Sequence, residues 1–438
     1  MKKTLCIILA MLFPFAISAQ NLNLKIGIKT DKAPWLQQGQ SNPNSQNPEI
    51  KISGELKHTD VVSIIDLGTS GNAYSMGFAG YKPAMLHYNH DLNTIVFIHR
   101  MGGDLDPGGN TGNLGYDIST DGGQTWSMMN LLYTAEDSVG GGYFQDAARY
   151  PQVGIYNPPA NTNPDEAYVA FEAGLLGSGN YNGVVYGRGS IGDITDTTRN
   201  FLYSNPGQGI YLHERNAFTI DNNGQMWIVN PNTNWSGGGV EWLEEIVVTK
   251  LVWNETEDDF ELEEQFLLNC PTTEYHPADI KIAFSPDGNF GYIGAIGNIQ
   301  EMSGVDSASY YPIIWRTQYA GETWEGPTKV DLAGEDGIVG VQYYLSNDEL
   351  AELYDPLPPR DEIPFTTAYD FDLTVDDWGN PHIAVVVGIT GEDPYSIITD
   401  ISQSSGYMYT ASMLISSFDM GSPGSWEAGV MGRLVSFR

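Results

Sequence analysis

The sequence predicts an all-β chain: a β-propeller of four-stranded blades, five or six in number, with one short helical insertion. Three observations lead there. From Val61 onward apolar and polar residues alternate in the two-residue period of half-buried strands. A strand–turn–strand unit recurs five times, with room for a second hairpin after each. The composition, with 50 Gly, 25 Tyr and 10 Trp in 438 residues, suits many short strands joined by tight turns. A chain of this length exceeds the ~250–300 residues that one core usually holds, and radial repetition lets a single domain grow sheet by sheet.

The recurring units can be laid out in order. The first runs from Tyr81 to Asn89, turns at Asp91–Asn93 and continues as Thr94–Ile98. The second is Arg149–Asn157, a longer turn, then Ala167–Phe171, and the third is Arg215–Asp221, Asn223–Gly224, Met226–Val229. The fourth is His276–Phe284, Asp287–Gly288, Gly291–Ile293, and the fifth is Asp370–Val375, Asp376–Gly379, His382–Val387. Turns rich in Asp, Asn and Gly suit hairpins because their side chains bond local N–H groups or tolerate positive φ. Second hairpins are visible at Glu245–Trp253 with Phe260–Phe266, and from Tyr407–Ser417 towards Trp426. The Val61–Met76 segment offers a sixth blade or closes the ring. Before the fifth unit, Ser346–Tyr354 has an N-cap residue and helical spacing, and Pro356–Pro359 stops it, so a helix is inserted there.

The N-terminus divides from this pattern. Lys2 and Lys3, the apolar run Thr4–Phe15 and the small residues Ser18–Ala19 read as a secretory signal peptide over 1–19. Residues 20–59 are polar and turn-rich, a linker or arm, and 60–438 form the propeller. No later run approaches the ~18 apolar residues of a membrane span. Loss of the leader removes Cys6, leaving Cys270 alone and no intrachain disulfide. A formal charge of −35 disfavours nucleic acid and anionic membranes as partners, and a monomer is expected.

One octet is specific. Ser119-Thr-Asp121-Gly-Gly123-Gln-Thr125-Trp126 follows the strand-like run Leu114–Ile118, and a worn copy, Thr317–Trp324, keeps Thr323 and Trp324 but has Tyr319 at the acid's place. The pattern Ser-x-Asp-x-Gly-x-Thr-Trp resembles the Asp-box, or bacterial neuraminidase repeat, of sialidase-like β-propellers. That resemblance implies a secreted bacterial type with structural boxes on the blade rims, away from the catalytic face. It also implies a clamp of arginines on a substrate carboxylate, a Tyr–Glu nucleophile pair and an Asp.

The residues offer candidates for these roles. Lys82, Arg149, Arg215 and His276, with Asp370 in the fifth unit, stand at the starts of the five first strands. If first strands line the axis, these cations converge as an anion-receiving pocket for a carboxylated or sulfated glycan, although polar strand starts also serve to bond neighbouring blades. Tyr211 with Glu214, and Tyr369 with Asp370, are the candidate nucleophile and acid pairs. The family's early Arg-Ile-Pro signature is missing. Asp104–Asn110 spaces oxygen ligands as calcium loops do but lacks the closing Glu, so calcium is possible there and no cofactor is otherwise expected. Three functions follow: a secreted or cell-surface propeller binding a glycan or a protein ligand, an active sialidase-like glycoside hydrolase, or an adhesive module of a larger exported protein.

Overall fold

Twenty of the strands form five four-stranded antiparallel sheets that follow one another along the chain. The computed structural model describes residues 64–71, 83–102, 112–136, 138–140, 143–177, 180–213, 216–235, 239–272, 276–299, 304–391, 394–397, 399–400 and 407–433. All described strands lie in the unit Asp66–Arg438.

Sheet 1 contains β1 (Leu86–Asn89), β2 (Thr94–Arg100), β3 (Leu114–Ser119) and β4 (Ser127–Tyr133), and a small hairpin, β5 (Ser138–Gly140) with β6 (Tyr143–Phe144), follows it. Sheet 2 is β7 (Ala148–Tyr156), β8 (Tyr168–Gly177), β9 (Asn180–Ser190) and β10 (Asn200–Tyr203). Sheet 3 is β11 (Ala217–Ile220), β12 (Gln225–Asn234), β13 (Glu241–Asn254) and β14 (Asp259–Asn269). Sheet 4 is β15 (Asp279–Phe284), β16 (Gly291–Gly297), β17 (Tyr311–Thr317) and β18 (Glu325–Lys329). The insertion contributes α1 (Val339–Gln342) and α2 (Asn347–Ala351). Sheet 5 is β19 (Phe365–Val375), β20 (Pro381–Ile389), β23 (Thr410–Ser417) and β24 (Trp426–Arg433), interrupted by the hairpin β21 (Thr399–Asp400) with β22 (Tyr407–Met408).

Each expected unit is thus the first hairpin of one sheet. Of the Val61–Met76 segment, residues 64–71 carry no strand and the rest lies outside the described residues. The expected helix forms as α2. Ser346 Oγ accepts from the Glu349 N–H and Glu349 Oε2 accepts from the Ser346 N–H, two otherwise unpaired amides satisfied reciprocally.

First strands lie beside first strands, all running the same way. The Ile155 N–H on β7 donates to His87 Nδ1 on β1, and each residue stands two before the Asn that opens its turn. At the turn end, Asn222 and Asn223 reach from sheet 3 to the Pro286 and Asp287 carbonyls of sheet 4, and Tyr292 of sheet 4 donates to the Gly379 carbonyl of sheet 5. The apolar core is correspondingly divided among seams: one cluster spans sheets 1 and 2, a second sheets 2 and 3, and a third sheets 3 to 5. Sheets that contact their neighbours in this way can be added without enlarging one central core.

The outer hairpins of sheets 1, 4 and 5 share one turn. The hydroxyls of Ser119, Thr317 and Ser417 accept from the N–H groups of Gly123, Gly321 and Gly421 at 2.7, 3.1 and 2.8 Å. In all three the residue before that glycine and the glycine itself have positive φ. The Ser417 hairpin is not recognisable from sequence as a copy, because extra residues separate Gly421 from Trp426. Asp121 is engaged within its own turn: Oδ1 accepts from the Gln124 and Thr125 N–H groups, and Oδ2 from Thr125 Oγ1 at 2.7 Å. The Thr125 hydroxyl, the Thr125 amide and the Ser119 hydroxyl together hold the Asp121 carboxyl down to about 2. Trp126 Nε1 closes the hairpin on the Gly123 carbonyl at 3.2 Å.

Asp121→Ala is therefore expected to lower the melting temperature and to speed amide exchange at Gln124 and Thr125. The depressed carboxyl contributes stability that is complete above its unfolded value of ~3.9 and disappears as pH falls through about 2. The difference between parent and variant should accordingly vanish in strong acid.

Candidate functional site

The end of the molecule where the first strands begin carries the chemistry, and it will be called the mouth. Three sheets are joined there through Gln152 and a buried carboxylate beside it. Gln152 of β7 accepts the Ala84 N–H on Oε1 at 3.0 Å, which turns its amide nitrogen toward Glu172 Oε2 at 3.1 Å and Asn216 Oδ1 at 2.6 Å. Asn216, just before β11, donates to Glu172 Oε1 at 2.6 Å. Glu172 sits on β8 with no solvent exposure, and burial pushes its carboxyl up to about 8 despite the donors from Asn216 and Gln152. A second carboxylate, Asp279 at the start of β15, is also fully buried. Lys281 Nζ reaches its two oxygens at 2.9 and 2.8 Å, and the Phe371 N–H of sheet 5 approaches at 3.4 Å. Burial outweighs the lysine and sets this carboxyl at about 6.

Aromatic rings line each seam between sheets 2 and 5 at this end. Trp235, after β12, stacks on His213 at 4.7 Å and 18°. Behind His213 come Tyr181 at 5.0 Å and then Tyr150 at 6.2 Å. Trp242 stands edge-on to His276 between sheets 3 and 4. Between sheets 4 and 5, Tyr310 stacks on Tyr395 at 4.6 Å, and the Tyr369 hydroxyl donates to the Tyr395 carbonyl at 3.3 Å. Trp235 is 36% exposed and Tyr369 is 55% exposed, so each offers an open face while held from behind.

Below the mouth, the first strands of sheets 1, 3, 4 and 5 line one cavity of about 520 Å³. Its polar lining includes His87, Thr219, Lys281, Asp372 and Thr374, and towards the turn end Asp221 and Ser285. His87 accepts the Ile155 N–H on Nδ1, which places its ring proton on Nε2, and burial lowers its pKa to about 4.

The residues singled out from sequence fall as follows. Arg149 is half-buried and donates from Nη1 to its own neighbour's carbonyl, Ala148, at 2.7 Å, while His276 lies against the Pro277 carbonyl through Nδ1. The two are not at one level. Counted back from the residues that close the turns, Ser285 and Asp376, the equivalent positions are Asp279 and Asp370, and His276 precedes that level. In sheet 2 the pairing shifts between Arg149 and Gln152, with Tyr150 at φ 52, so the strand is bulged where the two candidate registers competed. Tyr369 and Asp370 are exposed on a similar irregularity, between Thr367 and Phe371. Tyr211 is half-buried and its N–H donates to Asn232 Oδ1. Lys82, Glu214, Arg215 and the Asp104–Asn110 loop lie outside the described residues. Ser119, Asp121, Gly123, Thr125, Trp126, Thr323 and Trp324 belong to the opposite, turn end.

The chain matches no protein-family model and no curated relative. It has distant likenesses among solved structures. The polysaccharide lyase Uly1 is 11% identical over 84% of this chain and 76% of its own, with a TM-score of 0.40. The GH93 α-L-arabinofuranosidase of Fusarium graminearum, solved with arabinobiose, is 11% identical over 83% of this chain and 85% of its own, TM-score 0.38. The xylan β-1,4-xylosidase of Bacillus halodurans C-125 is 12% identical at TM-score 0.37, and the alignment spans 84% of this chain but 60% of that one.

The mouth thus presents two open aromatic faces, Trp235 after β12 and Tyr369 on β19. Most other arginines are engaged elsewhere. Arg188 pairs with Asp196 and Asp258, Arg199 with Glu136, Arg316 with Glu325 and Arg433 with Glu349, and Arg360 is bound by the Gln342 and Leu345 carbonyls. Among the described residues no group of three or more His, Cys, Asp or Glu is placed to hold a metal. Sequence reasoning missed Gln152, Glu172 and Asn216, although a lone Glu inside the apolar run Tyr168–Gly177 was a usable signal.

Proposed function

We propose that this chain is an exported, five-bladed Asp-box propeller that binds a glycan at its mouth. The leader-like segment 1–19 supports export, and the shared outer turns of sheets 1, 4 and 5 support the box assignment. Sheets 1 and 5 both line the axial cavity, which supports closure of the ring between them.

The observation that carries the binding reading is the pair of exposed rings, Trp235 and Tyr369, each fixed by contacts that leave a face open. A sugar presents an apolar C–H face bordered by hydroxyls. Rigid aromatic faces take the first at little entropic cost, and neighbouring polar groups such as Asp370 take the second. Arg149 and His276, each at this end of its own sheet, favour a glycan that carries carboxylate or sulfate.

Trp235→Ala and Tyr369→Ala are each expected to weaken glycan retention by about tenfold or more, as truncation of an aromatic anchor does. The measurement is a glycan array containing neutral, carboxylated and sulfated members, followed by calorimetry on any hit. Equal retention by parent and both variants would remove the mouth as the site.

A second reading, glycoside hydrolysis, is favoured by Tyr369 and Asp370, a hydroxyl and a carboxylate that stand next to each other and exposed at the mouth. Turnover of fluorogenic glycosides that Asp370→Asn abolishes would establish that reading over simple binding.

A further inference from the structure

We infer that the turn end of sheets 4 and 5 is a docking surface for a Lys- and Arg-bearing stretch of another protein. The starting point is how the three related hairpins differ. In sheet 1 the second and third positions of the turn are Thr120 and Asp121, and the carboxylate is consumed by the turn itself. In sheet 4 these positions are Gln318 and Tyr319, and in sheet 5 they are Phe418 and Asp419. The backbone turn survives in both, but its side chains have been turned outward: Tyr319 is 63% and Phe418 64% exposed. Trp378, on the first turn of sheet 5, is 77% exposed.

These turns adjoin and are rigid. Arg316 Nη1 of sheet 4 donates to the Met420 carbonyl at 3.1 Å, and the Met420 N–H donates to Asn380 Oδ1 at 3.2 Å. The His382 ring meets Phe418 edge-on at 6.2 Å, and the Trp378 N–H is held by Asp376 Oδ1 at 2.9 Å. Exposed rings on fixed backbone cost little entropy to use.

The charges select the partner. Asp377, Asp419 and Glu322 are exposed beside the three rings, and among the described residues their carboxylates take part in no hydrogen bond or ion pair. Arg316, the cation of these turns, is held by Glu325 at 2.8 Å. A neutral glycan would cover the rings and leave the carboxylates without counter-charge. Ammonium and guanidinium groups satisfy both, lying over ring faces and against carboxylates, and the chain's net charge of −35 steers them in.

The test is a fluorescence-anisotropy titration with a labelled oligolysine peptide at about 150 mM salt, where distant charges are screened. The variant Tyr319→Ala/Trp378→Ala/Phe418→Ala keeps the net charge and is expected to bind about tenfold to a hundredfold more weakly. Asp377→Asn/Asp419→Asn/Glu322→Gln should give a comparable loss without touching a ring, which separates the effect from any change in folding. Glu261→Gln/Glu264→Gln, on the acidic outer strand of sheet 3, should change binding less than about twofold because those sites lie outside the patch. Unchanged binding in the first two variants overturns the inference, as does an equal loss in the third. So does capture of a neutral oligosaccharide by the same rings with no peptide bound.

Discussion

Gly321→Ala is expected to destabilise the protein by about 2–4 kcal/mol, because two independent penalties meet at one methyl group. The first is conformational: Gly321 has φ 84, a region in which a Cβ costs ~1 kcal/mol. The second is steric. The added Cβ would lie 2.1 Å from Cη2 of Trp227, a fully buried indole of sheet 3 that stacks on Phe284 of sheet 4 at 5.1 Å. Relief requires moving one of the largest side chains in the seam, and overpacking of that kind costs about 1–3 kcal/mol. Gly424→Ala carries the conformational part alone, since Gly424 has φ 76 and a methyl group added there would meet nothing within 4 Å. Urea unfolding of both variants should therefore show a much larger loss for Gly321→Ala. Equal losses would mean that the outer turn of sheet 4 does not rest on Trp227.

Glu172→Gln is expected to remove the part of the pH dependence of stability that Glu172 contributes between ~4.3 and about 8, which stands clear of the Asp279 carboxyl above about 6. In that window the folded chain keeps the Glu172 proton while the unfolded chain has lost it, so the folded state binds more protons and stability falls as pH rises. The contribution is complete below ~4.3 and is lost as pH passes through about 8, with a slope of up to ~1.4 kcal/mol per pH unit. Gln keeps the shape of the side chain and carries no charge, so the variant's urea midpoint should be nearly flat between about pH 7 and 8, while the Asp279 carboxyl, set at about 6, leaves a dependence below that range. Glu172→Ala should instead be destabilising at every pH, because Gln152 and Asn216 would be left as buried amides without their acceptor. A parent whose stability is level from pH 5 to 8 would contradict the buried carboxyl as described.

The first hairpins of all five sheets were legible in the sequence because their period is two and their turns are written in Asp, Asn and Gly, signals set by local backbone chemistry. The capped helix α2 was legible for the same reason, since Ser346 and Glu349 act within one turn. The site was less so. Arg149 and His276 were expected at one level, but a bulge at Tyr150 and extra residues before Asp279 shift them, and bulges have no reliable local signature. The Gln152–Glu172–Asn216 cluster joins sheets 2 and 3 and takes the Ala84 N–H from sheet 1, so its partners are set by how sheets pack and not by spacing along the chain. The Ser417 hairpin was legible as a hairpin but not as a copy of the box, because its insertion breaks the octet while leaving the bond from Gly421 to the serine hydroxyl intact.

The placement of the ligand at the strand-start end is tested most directly by comparing the parent with the double variant Trp235→Ala/Tyr369→Ala on the same glycan array. A defined set of glycans retained by the parent and lost, by about tenfold or more, in the double variant is the predicted result. A parent that retains no glycan, or a double variant that retains the same set as strongly, would contradict it.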